Sequence, residues 1–103
     1  MANVSVSIGT PSPGNVGGGG TFISSGTYVV NPSETVTVAG TITNANTGAL
    51  VANGTAVTPP PGSSWSFKFS GLSDGVAYNE NVKVTAADGS ANSATIGITC
   101  TSP

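Results

Sequence analysis

Apolar and polar residues alternate along most of this chain, with a period of two rather than 3.6. Val4, Val6 and Ile8 alternate with Ser5 and Ser7, as in a strand that buries one face. A second strand-like stretch runs over 27–30 and stops at Pro32. Val36, Val38 and Ile42 then alternate with Thr35, Thr37 and Thr41, and Gly40 falls on the inward parity as a bulge or a close packing contact. Trp65, Phe67 and Phe69 alternate with Ser66, Lys68 and Ser70, which spends half of the six aromatics on one face and marks the centre of the core. Tyr78, Val82, Val84 and Ala86 share a parity, and 95–100 forms a last strand.

The breaks between these runs set the organisation. Pro11, Pro13 and Gly14 end the first strand, and the four glycines at 17–20 are too polar and too flexible to pack. Residues 1–20 are therefore expected to form a flexible N-terminal strand or arm with a Gly-rich linker, and 21–103 a β-sandwich domain. Residues 44–48 form a turn cluster. Asn53-Gly54, between the apolar runs 50–52 and 55–57, predicts a type I′ hairpin turn, which needs positive φ at both central residues. Pro59-Pro60-Pro61 cannot sit in a central strand and is expected to cross between sheets as polyproline II. Asp74-Gly75 and Asp88-Gly89 read as turns. Seven or eight short strands and no helical stretch predict an all-β, antiparallel two-sheet sandwich.

Composition agrees and narrows the chemistry. Ser, Thr, Asn and Gly fill roughly half of the 103 positions, and only 6% of residues are charged, against roughly 25% in an average domain. Two lysines without arginine cannot neutralise a run of phosphates, so no nucleic-acid partner is expected. The chain has no His and one Cys, which excludes a His-dependent triad and a conventional zinc site. No apolar run approaches the ~20 residues that span a bilayer, so membrane insertion is not expected. The start, Met1-Ala2-Asn3-Val4, has neither a basic nor an apolar leader region, so no signal peptide is expected.

The stretch Gly71-Leu72-Ser73-Asp74-Gly75-Val76-Ala77-Tyr78, followed by Val82-Lys83-Val84-Thr85-Ala86-Ala87-Asp88-Gly89, resembles the end of an immunoglobulin-like or fibronectin type III-like domain. There a Leu and a turn precede a Tyr, and an alternating strand runs into an Asp-Gly hairpin. Residues 62–69 are similar to the matching strand of bacterial immunoglobulin-like repeats. The resemblance covers 62–100 well and 33–58 loosely. It implies a seven- to eight-stranded sandwich of the bacterial or phage type, and it gives Tyr78 the role of tyrosine-corner residue, with a buried ring and its hydroxyl bonded to backbone a few residues upstream. The stretch from Tyr78 to Asp88 is about two residues longer than the family's pattern and puts Glu80 on the inward parity. Either a bulge at 79–81 turns that carboxylate outward, which is the expectation, or the position is special.

Candidate chemistry is sparse. Asp74, Glu80 and Asp88 are the carboxylates that could gather for calcium, but turns account for two of them, and no metal, cofactor or catalytic residue is assigned. Lys68 and Lys83 lie on outward parities, which argues against an isopeptide cross-link. Cys100 is a small buried hydrophobe or the partner of an intermolecular disulfide. Asn3-Val4-Ser5 and Asn53-Gly54-Thr55 match the glycosylation pattern by accident if no signal peptide exists.

No general base stands ready, so the chain is read as a non-enzymatic structural and interaction module. The leading expectation is a bacteriophage virion accessory, a capsid decoration or head-surface protein at the virion surface. Its partner would be the major shell protein or a neighbouring subunit, reached through residues 1–30 by strand addition, and homo-oligomers are compatible with it. The alternatives are an immunoglobulin-like repeat of a bacterial cell-surface or adhesion protein and a carbohydrate-binding module. The last would need exposed aromatics, which this sequence spends on its core.

Overall fold

The described residues form seven strands, β1 (Asn3–Ile8), β2 (Phe22–Asn31), β3 (Val36–Asn44), β4 (Leu50–Thr58), β5 (Ser64–Phe69), β6 (Ala77–Ala86) and β7 (Ala91–Thr99), and in β3, β5 and β6 the period-two alternation buries one face. The computed structural model describes residues 3–9, 22–59, 62–73 and 75–99, and these contain no helix. All pairings are antiparallel. The strands form a three-stranded sheet, β1-β2-β5, and a four-stranded sheet, β4-β3-β6-β7, so the fold is the all-β sandwich that the alternation predicts.

The core lies between the inner faces. Val36, Val38 and Ile42 of β3 and Val82 and Val84 of β6 are buried from one side, and Trp65, Phe67 and Phe69 of β5 from the other. The three rings follow one another along β5 at centroid spacings of 5.8 Å, tilted by 32° and 40°, within the range in which aromatic pairs attract one another. The outward parities of the same strands carry hydroxyls, amides and the exposed Lys68 and Lys83.

Gly40 is a close packing contact and not a bulge. A Cβ there would lie 2.9 Å from Phe67 Cδ2. The irregularity of this ladder sits instead between Ile42 and Thr43. Asn53-Gly54 corrects a sequence expectation: both residues lie in the middle of β4, opposite Thr41 and Gly40, and Gly54 is not among the positive-φ glycines. The ring of Phe67 explains the difference, because a Cβ on Gly54 would meet Phe67 Cδ1 at 2.9 Å. The glycine makes room and does not turn the chain. The β3–β4 turn is at 44–48, where Gly48 has φ +76° and Asn44 Oδ1 accepts from the backbone N–H groups of Asn46 and Thr47 at 2.8 and 3.1 Å.

Glu80 is the second correction. No bulge turns it outward: the ladders run unbroken through Ile42↔Glu80 and Glu80↔Ile96, and the side chain is fully buried. Two flanking strands hold β6 in register over its length, so the pleat alone decides where position 80 points.

β1 pairs with β2 of its own chain, from Asn3↔Asn31 to Ile8↔Gly26, and its Val4, Val6 and Ile8 pack against the core. The link to β2, with the four glycines, lies outside the described residues. So do Pro60, Pro61, Asp74 and Cys100. Between β4 and β5 the chain passes from one sheet to the other. Asn92 Nδ2 donates to Val4 O at 3.0 Å, which sets the start of β1 beside the start of β7. From there β7 runs on to Thr99, so the described chain enters near one end of the sandwich and leaves near the other.

Candidate interaction site

Two places depart from the plain alternation of buried apolar and exposed polar residues, and one of them is internal. Ser24 on β2 and Glu80 on β6 are both fully buried on facing sheets. Neither Ser24 Oγ nor either carboxylate oxygen of Glu80 completes a hydrogen bond. Burial pushes the Glu80 carboxyl above its ordinary value, and the facing Ser24 hydroxyl pulls it weakly the other way. A carboxyl in that setting is held in its neutral form more readily than one in water. Its strand neighbours are Ile42 and Ile96, and both lysines are exposed on outward faces, so no lysine balances it. The group is part of the core and offers nothing to a ligand.

The second place is the outer face of the three-stranded sheet. It presents Asn3, Ser5 and Ser7 from β1, Ile23, Ser25, Thr27 and Val29 from β2, and Ser66 and Lys68 from β5, all exposed. Ser7 and Thr27 share a hydroxyl–hydroxyl bond of 2.8 Å across the strands. Ile23 and Val29 keep 62% and 61% of their surface in solvent, which is high for large apolar side chains on a central strand. A shallow depression of about 230 Å³ lies along Ser5, Ser7, Thr27 and Val29. A second one, about 160 Å³, opens beside it where β5 has left β2, with Ser33, Glu34 and Ser63 among its walls. Lys68 is the only charge among these outward residues, so this face can hold a partner by hydroxyls, backbone and two apolar points.

The sequence put Glu80 on the inward parity but pointed neither to Ser24 nor to the outer face. Ile23 and Ser24 invert the usual assignment, with the apolar residue out and the hydroxyl in. The signal that could have placed them is parity with Tyr28, which is buried and shares its face of β2 with Ser24 and Gly26.

The other singled-out residues fall as follows. Tyr78 is buried, and its hydroxyl accepts from Ser73 N at 2.8 Å, the bond a tyrosine corner requires. Asp88 serves its turn: its Oδ1 accepts from Ser90 N at 2.8 Å, Gly89 has φ +94°, and Glu34 Oε1 accepts from Asp88 N at 3.0 Å. Glu80 faces the core while Asp88 sits in the exposed turn after β6, so these two carboxylates do not come together. Among the described residues no three His, Cys, Asp or Glu side chains gather. Trp65, Phe67, Phe69, Tyr28 and Tyr78 are all buried, so these five rings are spent on the core. No protein-family model matches the chain, and a search of curated proteins finds no significant match.

Proposed function

We propose that this chain is a non-enzymatic, immunoglobulin-like or fibronectin type III-like module that works by docking onto another protein, as an accessory on the surface of a bacteriophage particle. Two observations support the family reading: the strand orders β1-β2-β5 and β4-β3-β6-β7, and the bond from Ser73 N to the Tyr78 hydroxyl. The docking reading rests on the outer face of the three-stranded sheet, where Ile23 and Val29 stand in solvent on a surface otherwise made of hydroxyls, amides and the single charge of Lys68. A surface so poor in charge selects its partner by shape and apolar contact, which suits a fixed place on a protein shell. It is a poor match for nucleic acid or for an acidic substrate.

The test is co-sedimentation of the purified chain with phage shells that lack their accessory protein. Saturable binding to the main shell protein, lost in Ile23→Asp and Val29→Asp variants that keep their fold, is the expected result. Binding that ignores both substitutions removes this face from the proposal, and absence of binding removes the particle.

The path of the chain favours one second reading. Because the described strands enter near one end and leave near the other, copies could be strung head to tail as repeats of a bacterial cell-surface or adhesion protein. A gene that encodes a long tandem array of this sequence would replace the first reading with the second.

A further inference from the structure

We propose that the outer edge of β4 is a self-pairing surface, through which two copies of this chain join antiparallel about a two-fold axis at Thr55. The inference stands apart from the particle reading, because it concerns an edge of the other sheet and needs no foreign partner.

A strand edge is a row of unused backbone donors and acceptors, and natural sheets guard such rows with charge, proline, a bulge or a covering element. The edges of this sandwich differ in that respect. β1 and β7 lie side by side, joined by the Asn92–Val4 bond. β5 is six residues long and carries Lys68. β4 is nine residues long, holds no charged residue and no proline, and pairs only with β3 among the described strands. Leu50 and Val57 along it are 59% and 66% exposed.

The strand also defines its own register. The register shift between Ile42 and Thr43 leaves Val51 without a partner on β3, and Pro59, which has no N–H, follows the other end. Between these stops the seven residues 52–58 pair regularly with β3. A two-fold antiparallel pairing that uses all of them must centre on Thr55. Asn53 then lies opposite Val57 of the second copy, Gly54 opposite Ala56, and Ala52 opposite Thr58. Each of these pairs joins residues of the same parity, so outward side chains meet outward ones, while on the other parity Gly54 meets Ala56 and Ala52 meets Thr58. No like charges face each other, and the axis carries a Thr–Thr pair, which is favourable across strands. The two four-stranded sheets become one continuous sheet, and the unguarded edge disappears.

The experiment uses the full chain carrying Cys100→Ser, so that the native thiol cannot contribute. Sedimentation equilibrium from micromolar to millimolar concentration is expected to show the mass rising toward twice that of one chain. Thr55→Lys and Val57→Lys, both at exposed outward positions, are expected to stay at the mass of one chain, with the circular dichroism and melting of the parent. Register is read by mild oxidation: Thr55→Cys should form a disulfide-linked dimer about tenfold faster than Asn53→Cys or Val57→Cys tested singly, because only position 55 meets itself. A parent that stays at one-chain mass throughout overturns the proposal. So does a dimer that survives both lysine variants, or a Val57→Cys variant that links as fast as Thr55→Cys.

Discussion

The indole of Trp65 lies across the backbone of Gly26. The two residues are direct partners in the β2–β5 ladder, and a Cβ on Gly26 would sit 2.6 Å from Trp65 Cζ2 and closer still to Ser7 O. Only a missing side chain lets the ring pass over β2 and donate from Nε1 to Ser7 O of β1 at 3.2 Å. One aromatic thereby ties together all three strands of its sheet. Gly26→Ala must displace either the ring or the β1 backbone, and overpacking of this kind costs about 1–3 kcal/mol or more. Trp65→Ala and Phe67→Ala should cost about 3–5 kcal/mol as large-to-small core changes. Urea unfolding followed by Trp65 fluorescence measures the Gly26 effect, and a Gly26→Ala protein as stable as the parent would show that the ring does not need that passage.

β1 supplies the far end of this tie. Removing residues 1–9 takes six ladder partners from β2, the half-buried Val4, Val6 and Ile8, and the acceptor of the Trp65 bond. The truncated chain is expected to melt well below the full one, because losses of this kind are large against the ~5–15 kcal/mol that hold a domain folded. Equal melting temperatures in a thermal scan would instead make β1 an arm that is free to leave.

Gly40 and Gly54 face each other across β3 and β4, and the Phe67 ring rests on both. Gly54→Ala should therefore destabilise the protein, and Phe67→Leu should relieve part of that cost, giving a coupling of about 0.5–3 kcal/mol in a double-mutant cycle. Additive effects would mean that the ring does not require the glycine.

The outlines of the fold were legible in the sequence because a half-buried strand must alternate, and Trp65 to Phe69, Val36 to Ile42 and Val82 to Ala86 do so cleanly. Local chemistry misled where a tertiary contact outweighed it. Asn-Gly is a turn signal only if nothing else requires the glycine, and the ring that does require it comes from a strand on the opposite sheet. Glu80 was harder to read. The cost of an inward carboxylate argued for a bulge, but registry with β3 and β7 along the whole of β6 outweighs the cost of one buried group that can keep its proton. The exposed apolar pair Ile23 and Val29 does not show as apolar–polar alternation, because the inward positions beside Ile23 are Ser24 and Gly26; only parity with the buried Tyr28 marks which face is inner.

Tyr78 bonds to a backbone group five residues upstream, and that bond holds the 71–76 crossover in which Leu72 is buried and Gly71 and Gly75 have positive φ. Tyr78→Phe keeps the ring and deletes the acceptor, leaving the Ser73 N–H without its partner. A loss of about 0.5–1.5 kcal/mol is expected, accompanied by faster amide exchange at Ser73. Unchanged exchange there would separate the hydroxyl from the order of the crossover.

Glu80 should contribute more to the stability of the fold in acid than at neutral pH. Its carboxyl is raised by burial in the folded chain and returns to the ordinary carboxylate value on unfolding, so between those two values the folded state binds more protons than the unfolded state. Stability from this group is complete below the unfolded value and falls as pH rises toward the folded one, by at most about 1.4 kcal/mol per pH unit. Glu80→Gln cannot ionise, and the difference in stability between parent and variant should change across that range while the other carboxylates cancel. Glu80→Leu goes further. It removes two oxygens that complete no hydrogen bond, and at about pH 7 it should stabilise the fold by about 1–3 kcal/mol. Urea midpoints of the three proteins at about pH 4 and about pH 7 decide the matter. Parallel pH profiles for parent and Glu80→Gln would mean that Glu80 finds in solution a partner or water that offsets its burial.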